Sequence, residues 1–367
     1  MHIRSIEPFA VSLPMVKPLI MAGEEVRRAE NMLVRIASDD EQIGWGEAAA
    51  APTMTGETVA GMVAAVYYLA PVLIGRDAAD IVGAVQAMQR RMYANHGAKA
   101  AIEIALHDLL GRATGRPVQA LIGNKRRSRL PLMSPIGGGD IDDDARAAAL
   151  KKASGITAFK IKVGIDTPAH DAARTRAICA ALRNGCLISA DANQGFTTEE
   201  AIAFVRAVAG AGLDFVEQPV AADDLAGMAA VATATDIAIG ADEGIHSAAD
   251  IARHHELGAA RGVSLKAIKL GGIRAVVEAG RIADDLGMCV NVSCKTGESS
   301  IGCAAALHVA SVIPNVAWGL TLTHTALAED VVTDPIATER GYANVPDRPG
   351  LGVEVDEDLV RRYQAPK

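Results

Sequence analysis

Aromatic residues make up only 3 % of this 367-residue chain. Its core must therefore be built from Ala, Val, Ile and Leu. Half of the residues are hydrophobic, and the length suits two domains better than one. Cysteine is scarce: Cys179, Cys186, Cys289, Cys294 and Cys303 form no CxxC pair and no zinc-finger spacing. Neither a disulfide framework nor a structural zinc site is expected, and the five read as reduced core residues of a cytoplasmic protein. No apolar run approaches the 18 or more residues of a membrane span. The opening MHIRSIEPFAVSLP carries early charge and alternates, unlike a signal peptide, so no membrane partner is expected. Long basic runs are also missing, and the net charge is −8. The cluster Lys125, Arg126, Arg127 and Arg129 reads as a solvated linker. A nucleic-acid partner is not expected.

What is present changes character along the chain. Residues 1–50 read as a β-meander: His2–Leu13 extended, then Asn31–Ala37 and Ile43–Ala48 as a hairpin around Ser38–Glu41. Helical patterns follow at Gly56–Leu69, Ala78–Tyr93 and Ala98–Thr114, the last stopped by Gly115 and Pro117. Strands followed by helices make an α+β unit. After Arg129, continuous apolar runs alternate with Ala-rich amphipathic helices. Eight strands are expected, at Leu130–Ile136, Ala158–Val163, Leu187–Asp191, Asp214–Glu217, Ile237–Ala241, Val263–Ala267, Met288–Ser293 and Ala317–Thr321. Continuous apolar strands are those covered on both faces, and eight strand–helix units in about 200 residues fit a TIM-like α/β barrel. The tail Val332–Tyr363 lacks this pattern and is expected to return to the first domain.

A ladder of charged residues runs through the barrel region. Lys160 and Lys162 lie in FKIKVG, Asp191 in SADANQG, Glu217 in FVEQP, Asp242 in GADEG and Lys266 in VSLKAIKLGG. The steps from Lys162 onward are 29, 26, 25 and 24 residues. A βαβ unit takes about 30 residues, so one charged group recurs per repeat and a parallel barrel gathers them at one rim. Residues i and i+2 of a strand share a face, which aims Lys160 and Lys162 the same way. Three carboxylates at adjacent strand ends repel one another unless a cation lies between them. Oxygen-only donors suit magnesium or manganese, and the lack of His or Cys on the ladder counts against zinc. In a barrel the second and sixth strands lie across from each other, so Lys162 and Lys266 flank the carboxylates. That arrangement suits removal of a proton next to a substrate carboxylate, with the negative charge held by the metal. A free lysine, with a pKa near 10.4, is a poor base at neutral pH. A neighbouring ammonium and a metal cation both lower it, which gives the KxK pair a use.

These motifs resemble the enolase superfamily, specifically its muconate lactonizing enzyme subgroup, over nearly the whole chain. The resemblance implies an α+β capping domain (residues 1–128), a modified (β/α)7β barrel (129–330) and a tail (331–367) packing on the cap. It implies Lys162 and Lys266 as the acid/base pair, Lys160 as an electrostatic neighbour, and Asp191, Glu217 and Asp242 as ligands of Mg2+, with Mn2+ able to substitute. Asn193 and Glu243 support the metal, although turn chemistry alone also accounts for Asn193. Cap segments Val16–Arg27, with Gly23 as hinge, and Ala50–Glu57 are expected to close over the site; Met54 and Thr53 either reach the pocket or merely pack the loop. A homo-oligomer is the family habit.

Substrate choice is sought off the ladder. In NVSCKTGESSIG, Lys295, Thr296 and Gly297 are expected to line the pocket, with Lys295 binding a second anionic group; a solvated lysine is the plainer reading. In AWGLTLTHT, Thr321 and Thr323 stand where dipeptide epimerases of this subgroup carry acids, which argues against a dipeptide. Trp318 either stacks on a cationic ligand or packs in the core or at the rim. The expected enzyme is a divalent-metal-dependent isomerase of a small carboxylate, either a racemase/epimerase or a muconate-type cycloisomerase. The alternatives are a syn-dehydratase, a Schiff-base aldolase and a non-catalytic ligand-binding relative.

Overall fold

Three antiparallel strands carry the first 49 residues. They are β1 (Ile3–Met21), β2 (Glu24–Ser38) and β3 (Ile43–Ala49), in the order β1-β2-β3. A computed structural model describes residues 1–21, 24–137, 140–182 and 185–365, without the side chains at 20, 21 and 24. The cap hairpin is longer than the sequence suggests. Residues 16–21 and 24–27, expected as a loop, belong to β1 and β2, whose pairing continues to Met21↔Glu24 after a register shift between Pro14 and Leu19. The proposed hinge Gly23 lies outside the described residues.

Helices Val59–Leu69, Ile81–Arg91 and His96–Thr114 follow. The last packs directly onto β3, because Gly44 and Gly46 leave room for its backbone; a Cβ on Gly46 would stand 1.9 Å from the Ala101 carbonyl oxygen.

The expected first barrel strand splits in two. Residues of β4 (Arg129–Pro131) leave the barrel to pair with the tail, and β5 (Ser134–Ile136) begins it. Seven further strands follow: β6 (Ala158–Lys162), β7 (Leu187–Asp191), β8 (Phe215–Glu217), β9 (Ala238–Ala241), β10 (Gly262–Leu265), β11 (Cys289–Ser293) and β12 (Leu320–Thr321). They pair in parallel in sequence order, and a Leu132↔Leu320 bridge brings the two edges together. Helices connect successive strands, and β12 is followed by only a three-residue 3-10 turn, His324–Ala326. This is the expected (β/α)7β barrel with an α+β cap.

The floor, at the N-terminal strand ends, is closed by Trp318. Its ring stacks on Phe215 at 3.9 Å and 5° and covers Gly240 and Gly262. Of the two readings of Trp318, the structure selects core packing. Tail strands β13 (Thr338–Glu339) and β14 (Tyr342–Asn344) pair with each other, and β14 pairs with β4. Further along, Leu351 N–H donates to Asp108 Oδ1 (2.8 Å) and Arg112 pairs with Glu354 (3.0 Å), both on the cap helix His96–Thr114.

Candidate active site

The opposite end of the barrel opens into a cavity of about 630 Å3. It is lined by Lys160, Lys162, Asp191, Asp242 and Lys266, by Asn193 and Glu243, and by Met54, Lys295, Thr296 and Thr321. Of the site residues read from the sequence, Glu217 and Gly297 are not in the wall: Glu217 lies fully buried just beneath it, and Gly297 packs against Ala29 of the cap.

Parallel register explains the gathering. Lys162 pairs with Asp191 across β6 and β7, and Asp191 with Glu217 across β7 and β8. Asp242 follows β9 by one residue and Lys266 follows β10 by one residue, outside the strand to which the sequence reading assigned it. Strands β7, β8 and β9, which deliver the carboxylates, lie between the lysine-bearing β6 and β10.

Each carboxylate meets an ammonium. Lys160 Nζ lies 2.5 Å from Glu217 Oε2 and 3.7 Å from Asp191 Oδ2. Lys162 Nζ donates to Asp191 Oδ2 and Asn193 Oδ1, both at 2.7 Å. Lys266 Nζ donates to Asp242 Oδ2. Burial by itself lowers a lysine's pKa, but Glu217, Asp191 and Asp242 outweigh it at Lys160. At Lys266, Asp242, Glu243 and Glu217 do the same, so both ammonium groups are held above the ordinary lysine value. Conversely, burial raises a carboxyl's pKa, but Lys162 and Lys160 hold Asp191 below its ordinary value. Asp242 is held low against burial by Lys266, Lys269 and Lys160. For Glu243, burial and the adjacent Asp242 act together and push it up to about 7.

As the side chains stand, no three His, Cys, Asp or Glu groups among the described residues are arranged to hold a metal ion. The carboxylate oxygens are turned onto lysines instead. The donor chemistry nevertheless fits a hard divalent cation. Asp191, Glu217 and Asp242 are oxygen donors at three adjacent strand ends. Glu243 Oε2 is buried without a hydrogen-bond partner, while its Oε1 accepts from Asn193 Nδ2 (3.1 Å).

Sequence reasoning missed the residues that hold Asp242. Lys269 is fully buried, and its Nζ donates to Asp242 Oδ1 (2.6 Å), the Ser264 carbonyl (2.9 Å) and the Asp242 carbonyl. Gln218 Oε1 accepts from the Asp242 and Gly244 N–H groups at 2.9 and 3.1 Å. The available signals were the lysine one helical turn after Lys266 and the glutamine directly after Glu217. Arg174 was missed as well: it donates to the Lys162 carbonyl while paired with Asp171 at 2.9 Å.

The cap reaches the cavity through Leu19 of β1 and through Thr53 and Met54. The Thr53–Met54 segment is fixed by the Ala51↔Glu57 bridge and by Glu57, whose carboxylate accepts from Gly97 N–H (2.9 Å) at the start of the long cap helix. Away from the ladder and from Glu243 beside it, the lining of described residues contains one cation, Lys295, and no carboxylate.

The architecture is that of a capped (β/α)7β-barrel enzyme. Residues 5–123 match the N-terminal domain of the mandelate racemase/muconate lactonizing enzyme family, and residues 142–359 match the enolase C-terminal domain-like family. The chain belongs to this family, in the muconate lactonizing enzyme subgroup of the enolase superfamily. It is 31 % identical to chloromuconate cycloisomerase of Pseudomonas putida, over 99 % of both chains. It is 32 % identical to L-Ala-D/L-Glu epimerase of Bacillus subtilis, over 96 % of this chain and 97 % of that one. The structure of N-succinyl Arg/Lys racemase from Bacillus cereus superposes with a TM-score of 0.94 at 29 % identity, covering 100 % of this chain and 98 % of that one. The chain is thus an isomerase of the subgroup acting on a small carboxylate, and its relatives do not favour the dehydratase alternative. Enzymes of this subgroup use a divalent metal. Among the described residues, no helix is long and apolar enough to cross a membrane.

Proposed function

We propose that this protein interconverts isomers of a small dicarboxylate, or of an amino acid carrying a second acidic group, by proton transfer at the carbon beside a carboxylate. One observation carries the reading: two lysines from opposite barrel strands, Lys162 and Lys266, enter one cavity on either side of three carboxylates. In this reading Asp191, Glu217 and Asp242 hold Mg2+, replaceable by Mn2+, and Asn193 and Glu243 orient that set. Bound there, the cation would hold the substrate carboxylate and offset the charge that develops on it. Lys162 takes the α-proton from one face, and Lys266 delivers a proton to the other or accepts it in the reverse direction. Each lysine must first release the aspartate oxygen it holds, and the one that acts as base must also be in its neutral form. Lys160, held by Glu217 and Asp191, keeps a fixed positive charge under the developing anion. Cap residues Leu19, Thr53 and Met54 exclude water. Lys295 pairs with the second anionic group, beside Thr296 and Thr321, and the absence of a carboxylate from that part of the described lining disfavours an ammonium there.

The reading includes a division into cap (1–128), barrel (129–330) and tail (331–367), and a homo-oligomer in the cytoplasm. It is tested by solvent deuterium exchange over a library of carboxylates and N-acyl amino acids with Mg2+. Exchange at Cα that disappears in Lys162→Ala and in Lys266→Ala is expected. If no library member shows exchange or isomerisation, the reading fails. Lys295→Ala should weaken dicarboxylates relative to monocarboxylates, and an unchanged preference removes Lys295 from the binding site.

A further inference from the structure

The segment that carries Lys295 and Thr296 is held from behind by the cap. Asn31 of β2 is fully buried, and its Nδ2 donates at 2.7 Å to both Glu47 Oε1 and the Gly297 carbonyl. Both partners are acceptors, which fixes the orientation of the amide. Glu47 of β3 accepts from Ser299 N–H (2.9 Å), Ser299 Oγ (2.6 Å) and Gly302 N–H (2.8 Å). It thereby caps the helix Ser300–Val312 across the domain boundary, where a carboxylate is favoured by the free N–H groups. Gly297 adopts φ +81, and a Cβ there would stand 2.4 Å from Ala29 Cβ on β2. On the barrel side, Thr323 Oγ1 donates to the Lys295 carbonyl at 2.7 Å, and Cys294 N–H to the Thr321 carbonyl at 2.9 Å. The segment 294–297, of which residues 294–296 line the cavity, is therefore clasped between the end of β12 and the cap sheet.

We propose that Asn31 and Glu47 are positioning residues for substrate selection. They touch no part of the cavity, yet they set the backbone from which Lys295 and Thr296 reach it. The inference rests on the proposed role of Lys295. Rotating the peptide at Gly297, or releasing the helix start at Ser299, moves that ammonium without moving the ladder on β6 to β10. The effect therefore belongs in recognition of the distal substrate group and not in proton transfer.

The test is a double-mutant cycle between Asn31→Leu and Lys295→Ala, with cis,cis-muconate and N-succinyl-lysine as probes and Mg2+ present. Asn31→Leu is expected to raise KM about tenfold or more while kcat stays within about twofold. It should add little further in the Lys295→Ala background, because residues acting through one another are not additive. A lowered kcat at unchanged KM, full additivity, or no change in either constant overturns the proposal. Lys295→Ala without effect on KM overturns the role of Lys295, and so distinguishes failure of that reading from failure of the clasp. Amide hydrogen exchange needs no turnover of either probe. Residues 294–302 should exchange about tenfold faster in Asn31→Leu, or in the milder Glu47→Gln if the first variant does not fold. Exchange at the wild-type rate in a folded variant refutes the clasp.

Discussion

At the scale of single residues, the site depends on compensated charge. Lys269 shows this most plainly, since it lies off the cavity and fully buried, with Asp242 and two backbone carbonyls as its partners. Breaking a buried pair by removing one partner typically costs about 3–5 kcal/mol, because the other charge remains. Lys269→Met should therefore lose about that much stability in urea denaturation. A loss below about 1 kcal/mol would mean that Lys266 alone suffices for Asp242. Glu47 offers a second test through pH. Burial pushes its carboxyl up to about 7, against the pull of the Ser299 and Gly302 donors. The folded form thus keeps a proton that the unfolded chain releases near pH 4.5, so this group's contribution to stability falls as pH rises from 4.5 to 7. Glu47→Gln lacks that dependence. Its Tm relative to wild type should rise between pH 5 and pH 8, as followed by circular dichroism. A constant difference would show that Glu47 is already ionised at pH 5.

At the scale of elements, the close approach of helix His96–Thr114 to β3 rests on two glycines. A methyl group on Gly46 would meet the Ala101 carbonyl oxygen at 1.9 Å, a contact with backbone that no side-chain rotation relieves. Overpacking usually costs about 1–3 kcal/mol, and Gly46→Ala should reach at least the upper part of that range in denaturant titration. A near-neutral Gly46→Ala would mean that the helix shifts freely on the sheet. The same helix carries Glu103, which accepts from Arg274 N–H (3.1 Å) at the start of the barrel helix Ile273–Asp285. His96 at its first position contacts the Lys269 carbonyl at 2.5 Å. The cap helix therefore abuts the segment that holds Asp242. A shift of this helix should accordingly be felt at the ladder as well as in stability.

At the scale of the whole molecule, the barrel concentrates four carboxyl groups, Asp191, Glu217, Asp242 and Glu243, at one rim. Ligands that bind only the folded state stabilise it by mass action, about 2.7 kcal/mol at one hundred times Kd. Adding Mg2+ or Mn2+ to chelator-treated protein should raise Tm, and Asp191→Asn should reduce that rise. Equal Tm values with chelator and with millimolar Mg2+ would contradict the assignment of these acids.

The sequence by itself determined the ladder, because the strand–helix repeat has a length and each repeat ends in one charged residue. It also determined the barrel class, because apolar runs alternate with amphipathic helices. Cap strands β2 and β3 were legible to within a few residues around Ser38–Glu41. The extension of β1 to Met21 and the start of β2 at Glu24 were not, since Lys17, Pro18 and the charged residues between Glu24 and Arg28 break the apolar alternation. Nor could the sequence separate Leu130–Pro131 from the barrel, because the partner of β4 is a tail strand some two hundred residues away. Trp318 carried no local sign of whether it faced floor or pocket. The roles of Lys269, Gln218, Asn31 and Glu47 were decided only by tertiary structure. Their partners come from other strands or from the other domain, and a buried polar group takes its meaning from the acceptor it finds there.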